Sequence, residues 1–396
     1  MSLRRFLAIA SLLALAVPAH AQPAGLTLED RQAIARRLYA LVQQYFAHWD
    51  GAPRTRVEAA YHRYVDEAGR AADRHAFDLA SLRFVAALRN GHSQFVDEAA
   101  DARPLKFRLL DVEGEWAVVF SQDARLPRGA VVRTINGTPV AAAVEGLSEY
   151  VAASNARLAR THVFSYPVLF PTRVSLGLKS GETIVIDRSV PVDGASAPPL
   201  AQSGGRWVQQ DRVAYIKIPS FGDPAYESSA LELVGRYSSA AALIIDVRGN
   251  GGGATPGRLI ASIMSRGYRT WQQLAPARIP SRSENPSADA FTGRVFILID
   301  RFCGSACEDF VMPFKDNHRA VLIGEVTQGS SGNPYRTDLG LGIRVAIGAV
   351  RYAFPDGRPF ESIGIAPDVV VLRRLADLAS GRDAVLERAE ALAGIR

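Results

Sequence analysis

Four apolar runs in the C-terminal half of the chain constrain its fold more than any other feature. They are Val213–Ile218, Ala241–Val247, Val295–Ile299 and residues 319–323. Each has the length of one strand, and they show little polar alternation, as expected of strands covered on both faces. Between them, residues 224–238, Pro256–Arg266 and residues 305–316 carry helical patterns. Strands alternating with helices imply a largely parallel sheet joined by helical crossovers. The expected class is α/β, a mixed, largely parallel core sheet with helices on both faces. A hydrophobic share of 48% allows a sizeable core.

Two of the junctions in this pattern can carry chemistry. The run Val295–Ile299 ends at Asp300, and a short turn, Arg301–Gly304, leads to Ser305 at the start of a helical stretch. A serine on a sharp strand-to-helix turn exposes its Oγ, and the next amides lie at a helix N-terminus, where partial positive charge can hold an oxyanion. Ser305 and Glu308, three residues apart, also fit a capping box, a purely structural role. The second junction, ALIIDVRGNGGG at Ala242–Gly253, places glycine-rich backbone after a buried strand. Its glycines do not match a dinucleotide-binding spacing, and no Lys-Ser/Thr pair follows for a phosphate loop. An ordinary loop and an oxyanion loop both remain open.

Upstream, residues 27–89 read as three helices. Thr27 with Asp30 forms a start signal, a second helix lies within 54–72, and a third, Phe77–Leu88, stops at Asn90-Gly91. His92 follows that stop. His48, His62 and His75 read as surface residues, and His162 and His318 have no distinctive context. Residues 105–190 read as short strands with one helix, 139–151, and Asn136-Gly137 is a tight hairpin turn. The stretch 191–205 is rich in Pro, Gly, Ser and Ala and reads as a linker. Near the C-terminus, Glu361 lies in FESIGIAPDVVV, where local context favours a surface position.

Taken together, VAYIKI with Ser220-Phe221, LIIDVRGNGGG, DRFCGSACEDF, RAVLIGE with Thr327, and ESIGIAPD resemble the tail-specific or C-terminal processing serine peptidases. The resemblance spans about 213–371. Leu88-Arg89-Asn90-Gly91-His92-Ser93 resembles the family's Asp-Gly-His motif, with Asn90 where Asp is usual. One branch of the family pairs its serine with a lysine in a later loop. In this chain that loop is Thr327–Gly332, and Ser330 stands in the lysine slot. The tricorn-core-like branch uses Ser, His and Glu. The resemblance therefore implies Ser305 as nucleophile, His92 as base and Glu361 as its orienting partner. It implies an oxyanion hole from the amides of Ala306 and of Gly251 or Gly252, and no cofactor or metal. Some members carry a serine just before the histidine. Gly91 stands there instead, and Ser330 is expected to matter less than Glu361. Trp116–Val140 resembles a degenerate PDZ module, a class that binds extended peptides.

The expected organisation is a signal peptide at 1–21, a helical cap at 22–100 carrying His92, a PDZ-like β-rich insertion with its linker at 101–205, and an α/β catalytic core at 206–396. Arg4 and Arg5, the apolar stretch Phe6–Val17 and Ala19-His20-Ala21 form the signal pattern, so the mature protein is expected in a periplasm or outside the cell. No later segment is apolar for long enough to span a membrane. The net charge of +6 is spread out, with no basic run that suggests nucleic acid. The expected partner is a polypeptide substrate; the sequence sets no oligomeric state. The two cysteines, Cys303 and Cys307, bracket Ser305. Their spacing on a turn entering a helix favours packing over a bridge. The competing function is a non-catalytic peptide- or lipid-binding protein on the same scaffold. A nucleotide-binding protein rests on the glycine run alone.

Overall fold

The computed structural model describes residues 25–190, 202–209 and 211–394. The signal segment and most of the predicted linker, 191–201, lie outside the described residues. The linker's last two residues, Gly204 and Gly205, open a strand, Gly204–Gln209.

The apolar runs form the centre of a six-stranded sheet. Its order is Val369–Val370, Val321–Gly324, Arg294–Ile299, Ala242–Asp246, Val213–Lys217, Gly204–Gln209. All neighbours are parallel except the last pair. From Gly204 onward the strands follow one another across the sheet in chain order. Right-handed crossovers in such a sheet all fall on one face. The crossover helices Pro224–Arg236, Gly257–Ile263 and Ala306–Asp316 accordingly share one core with Leu243, Ile245 and Ile297. The opposite face, Ile244, Phe296, Leu298 and Ile323, is covered by the C-terminal helix Ala384–Ala393. Alternate residues of one strand thus feed two cores, which explains why these runs show no polar alternation.

The three N-terminal helices are Leu28–Tyr45, Arg54–Arg70 and Arg74–Ala86, and the first begins at the expected Thr27–Asp30 start signal, which is a capping box. Their core does not close on itself. It includes Leu339, Ile343, Val345 and Ile347 from a hairpin, Pro334–Gly340 and Ile343–Gly348, which the sequence reading did not contain. The strand Gln94–Asp97 pairs antiparallel with Ile343–Gly348, Gln94 opposite Ala346. This pairing fixes the segment after the third helix to the hairpin.

Between these parts lies a β-rich unit with its own core: Phe107–Val112, Glu115–Ser121, Val132–Ile135, Arg173–Leu178 and Thr183–Asp187, with helices Val140–Ser148 and Ala156–His162. The second helix was not predicted. The Asn136-Gly137 turn is as expected, with φ of 49° and 81°, the two positive values a tight hairpin needs. Among the described residues, no helix is long and apolar enough to cross a membrane.

Candidate active site

In an open parallel sheet, ligands bind beyond the carboxyl ends of the strands. Four loops meet there: Ser220-Phe221 after Val213–Lys217, the glycine run after Ala242–Asp246, the serine turn after Arg294–Ile299, and 325–333 after Val321–Gly324. Asp300 ties two of them together. Its Oδ1 accepts from the amides of Gly249 at 2.9 Å and Phe302 at 3.0 Å. Gly304 N donates to the Asn250 carbonyl at 3.2 Å. The glycines are needed for this approach. A Cβ on Gly252, which has φ +100°, would lie 2.7 Å from the Gly304 carbonyl and 2.8 Å from the Ser305 Cβ.

Ser305 is the N-terminal boundary residue of the helix Ala306–Asp316, with φ 54° and ψ −125°, and its side chain makes no capping bond. The capping-box alternative therefore falls. Glu308, its supposed partner, is buried and binds the neighbouring loop instead, accepting from Thr327 Oγ1 at 2.5 Å, Gly329 N at 2.8 Å and Ser330 N at 2.9 Å. The Ser305 Oγ lies 2.9 Å from His92 Nε2, across a sequence separation of 213.

His92 Nδ1 faces Ser330 Oγ at 3.2 Å. Glu361 is close by, but its bonds go elsewhere: Oε2 accepts from Ser331 N at 2.6 Å and Oε1 from Asn90 Nδ2 at 3.2 Å. Its side chain is only 12% exposed, so the surface position favoured by local context is wrong. Burial pushes the Glu361 carboxyl up, opposed by hydrogen bonds from Ser154 and Ser331 and by His92. Burial also holds His92 down to about 4, with Glu361 pulling the other way. The His92 imidazole is therefore uncharged at neutral pH.

Asn90 uses both ends of its amide. Its Oδ1 accepts from His92 N at 3.1 Å and Ser93 Oγ at 3.2 Å, while its Nδ2 donates to Glu361. An aspartate could accept but not donate, and would set a second negative charge against Glu361. Ser93 Oγ in turn accepts from Gly348 N at 3.1 Å, locking the His92 turn to the hairpin.

Of the expected oxyanion donors, Gly252 N is committed to Asn250 Oδ1 at 2.9 Å. The amides of Gly251 and Ala306 carry no such bond among the described residues. Both glycine loop and serine line a cleft of about 690 Å³ with His92, Ser330, Arg108, His162 and Arg336. Among the described residues, no group of three or more acidic, His or Cys side chains is placed to hold a metal.

Sequence reading missed several neighbours. His48, read as a surface residue, is buried, with Nε2 at 3.0 Å from the Val350 carbonyl and Nδ1 at 3.7 Å from Glu361. His162, read as featureless, borders the cleft. Cys303 and Cys307 form a disulfide, which corrects the expectation of simple packing. That expectation assumed ordinary turn geometry. The positive φ at Ser305 folds the chain back and brings the two Cα atoms to 5.4 Å, within bridging range.

A strained serine on a strand-to-helix turn of an α/β sheet, hydrogen-bonded to a histidine, is the arrangement of the serine hydrolases. More specifically, residues 212–371 match the model of peptidase family S41, and the chain carries a domain of that family. Over 193 residues it is 30% identical to the chloroplastic C-terminal processing peptidase of Tetradesmus obliquus, covering 45% of this chain and 38% of that one. Over 125 residues it is 33% identical to the tail-specific protease of Haemophilus influenzae, covering 31% of this chain and 18% of the relative. The matched segments thus span less than half the length of these relatives. Among solved structures, mature CPAF in complex with lactacystin superposes with a TM-score of 0.74 at 14% identity, over 92% of this chain and 98% of that one. At that identity the likeness is one of fold.

Proposed function

We propose that the protein is an exported serine peptidase that hydrolyses peptide bonds of polypeptides through an acyl-enzyme on Ser305, in the manner of the Ser-His-Glu branch of its family. The observation that carries this reading is the 2.9 Å contact between Ser305 Oγ and His92 Nε2. Two polar side chains so far apart in sequence, on a strained turn and in an open cleft, have no evident structural need of each other.

In this reading Ser305 Oγ attacks the peptide carbonyl while its proton passes to His92 Nε2. His92, uncharged at rest, then gives that proton to the leaving amine. Water repeats the sequence in reverse to release the acyl group. The amides of Gly251 and Ala306 take the developing oxyanion. Glu361 favours the imidazolium by its charge. The buried Cys303–Cys307 bridge supports an oxidising compartment and hence the signal segment at 1–21. The unit around Phe107–Asp187 would serve as a PDZ-like holder of extended peptide.

The test is labelling by a fluorophosphonate probe together with turnover of a casein substrate. Ser305→Ala is expected to lose both while melting as the parent does, since loss of a nucleophile costs several orders of magnitude in rate. A folded parent protein whose Ser305 never reacts would leave the scaffold as a peptide or lipid binder.

A further inference from the structure

We propose that Ser330 is the positioning residue of His92, and that position 91 is a glycine because the Ser330 hydroxyl fills the space its side chain would take. This rests on the peptidase reading above but makes a claim about His92 that can be checked without turnover.

Ser330 touches both Ser305 and His92. Its carbonyl accepts from the amide of Ser305 at 3.0 Å, and its Oγ lies 3.2 Å from His92 Nδ1. It is only 3% exposed. Two acidic side chains hold the segment around it: Glu308 takes the amides of Gly329 and Ser330, and Glu361 takes that of Ser331 at 2.6 Å. Glu361 therefore reaches the histidine by shaping the backbone that carries Ser330, and by its charge, without a hydrogen bond of its own to the ring.

Tautomer logic gives Ser330 its task. For Nε2 to accept the Ser305 proton, Nδ1 must carry a hydrogen and needs an acceptor. The Ser330 Oγ is that acceptor. During attack the Ser305 proton moves to Nε2, both ring nitrogens carry hydrogens, and Nδ1–H stays on Ser330. The Ser330 hydroxyl keeps its own proton throughout. A lysine in this slot, being a donor when charged, could not do the same.

Gly91 is the complementary half of the argument. A Cβ built there would lie 2.6 Å from Ser330 Oγ and 3.5 Å from Ser154 Oγ. No positive φ demands glycine at this position. The need is space, and Ser330 occupies it. The hydroxyl beside the histidine thus comes from the 325–333 loop, not from the residue preceding His92.

Four variants and one spectroscopic reading test this. Contrary to the expectation that Ser330 matters less than Glu361, Ser330→Ala is expected on this geometry to lower kcat by at least about tenfold with KM within about twofold, as for loss of a group that acts through a general base. Ser330→Thr retains the hydroxyl and should keep most of kcat. Ser330→Gly paired with Gly91→Ser moves the hydroxyl to the turn before His92 and should recover part of what Ser330→Gly alone loses. At pH 7 the ¹⁵N shifts of the His92 ring should report the Nδ1–H tautomer in the parent protein and a mixture in Ser330→Ala. An Nε2–H ring in the parent, or parental kcat in Ser330→Ala while Ser305→Ala is inactive, overturns the proposal. If the parent protein fails to react with a fluorophosphonate, the peptidase reading fails, and the ring shifts still decide the role of Ser330. Should Ser330→Ala not fold, the parent ring shift and the Thr variant carry the test.

Discussion

Ser305 sits at φ 54°, a conformation that costs an L residue on the order of 1–3 kcal/mol and persists only where its surroundings impose it. Here they do: its amide is held by Ser330, its carbonyl by Glu308 and Asp309 amides, and Gly252 lies against its Cβ. The residue-scale consequences concern its partners. Because burial keeps His92 near 4, the neutral base survives well below the usual histidine range. The acid limb of kcat/KM should therefore fall as pH drops through about 4, where a solvent-exposed histidine would give a limb near 6.5. A pH profile on a stable peptide substrate decides between the two. For Glu361→Gln, the charge beside His92 disappears while the shape remains. At least about a tenfold loss in kcat, with little change in KM, is expected from removing charge support from a general base. Steady-state kinetics with both parameters resolved would expose a silent variant, which would confine Glu361 to a packing role.

The element that contains Ser305 is a turn closed by its own flanks. Cys303 and Cys307 are both fully buried, and their bridge spans Ser305. The bridge should be protected in the folded protein. Alkylation and intact mass after reductant alone should find no free thiol, and reductant plus denaturant should release two. Modification of both cysteines under native reduction would contradict this. Elements differ in how plainly they could be read beforehand. The central core strands were legible because each is mostly apolar, and the helices over them because their periodicity is local. The Pro334–Gly348 hairpin was not. Its strands alternate buried and exposed residues irregularly around Gly340 and Gly342, and its partner, Gln94–Asp97, lies some 250 positions earlier. No local pattern encodes such a register. The same distance hid His48, whose partners Val350 and Glu361 come from the far end of the chain. Ser305 and His92 were legible through motifs, whereas the contact from Ser330 to His92 depends on a loop geometry that composition does not carry. The cysteine spacing misled because it was judged on ordinary helix-entry geometry.

At the scale of the molecule, burial of ionisable groups sets how stability responds to pH. Burial raises Asp78 and Glu308 to about 8 and Asp309 to about 7. These carboxyls hold protons in the folded state that the unfolded chain sheds near pH 4, so their contribution is complete at low pH and is lost as pH rises through 7 to 8. Burial also lowers His48, His92 and His162 to about 4. The unfolded chain takes up those protons below 6.5, so their contribution is lost as pH falls from 6.5 toward 4. Both sets favour the folded state most at mildly acidic pH. The melting temperature should be higher at pH 6.5 than at 8.5, and Asp309→Asn, which keeps the Thr255 contact, should flatten that difference. A melting temperature that climbs from 6.5 to 8.5 would reject this account.

The pairing of Gln94–Asp97 with Ile343–Gly348 also imposes a schedule. A chain made from its N-terminus presents His92 early and Ser305 much later, yet the strand that seats His92 is completed only when Gly348 has emerged, and Glu361 follows still further on. A nascent chain or a fragment ending before Ile343 holds Ser305 without His92 in place. Under the peptidase reading, such an unfinished chain is harmless to its own synthesis and to the proteins around it, and cutting power arrives only with nearly the whole polypeptide.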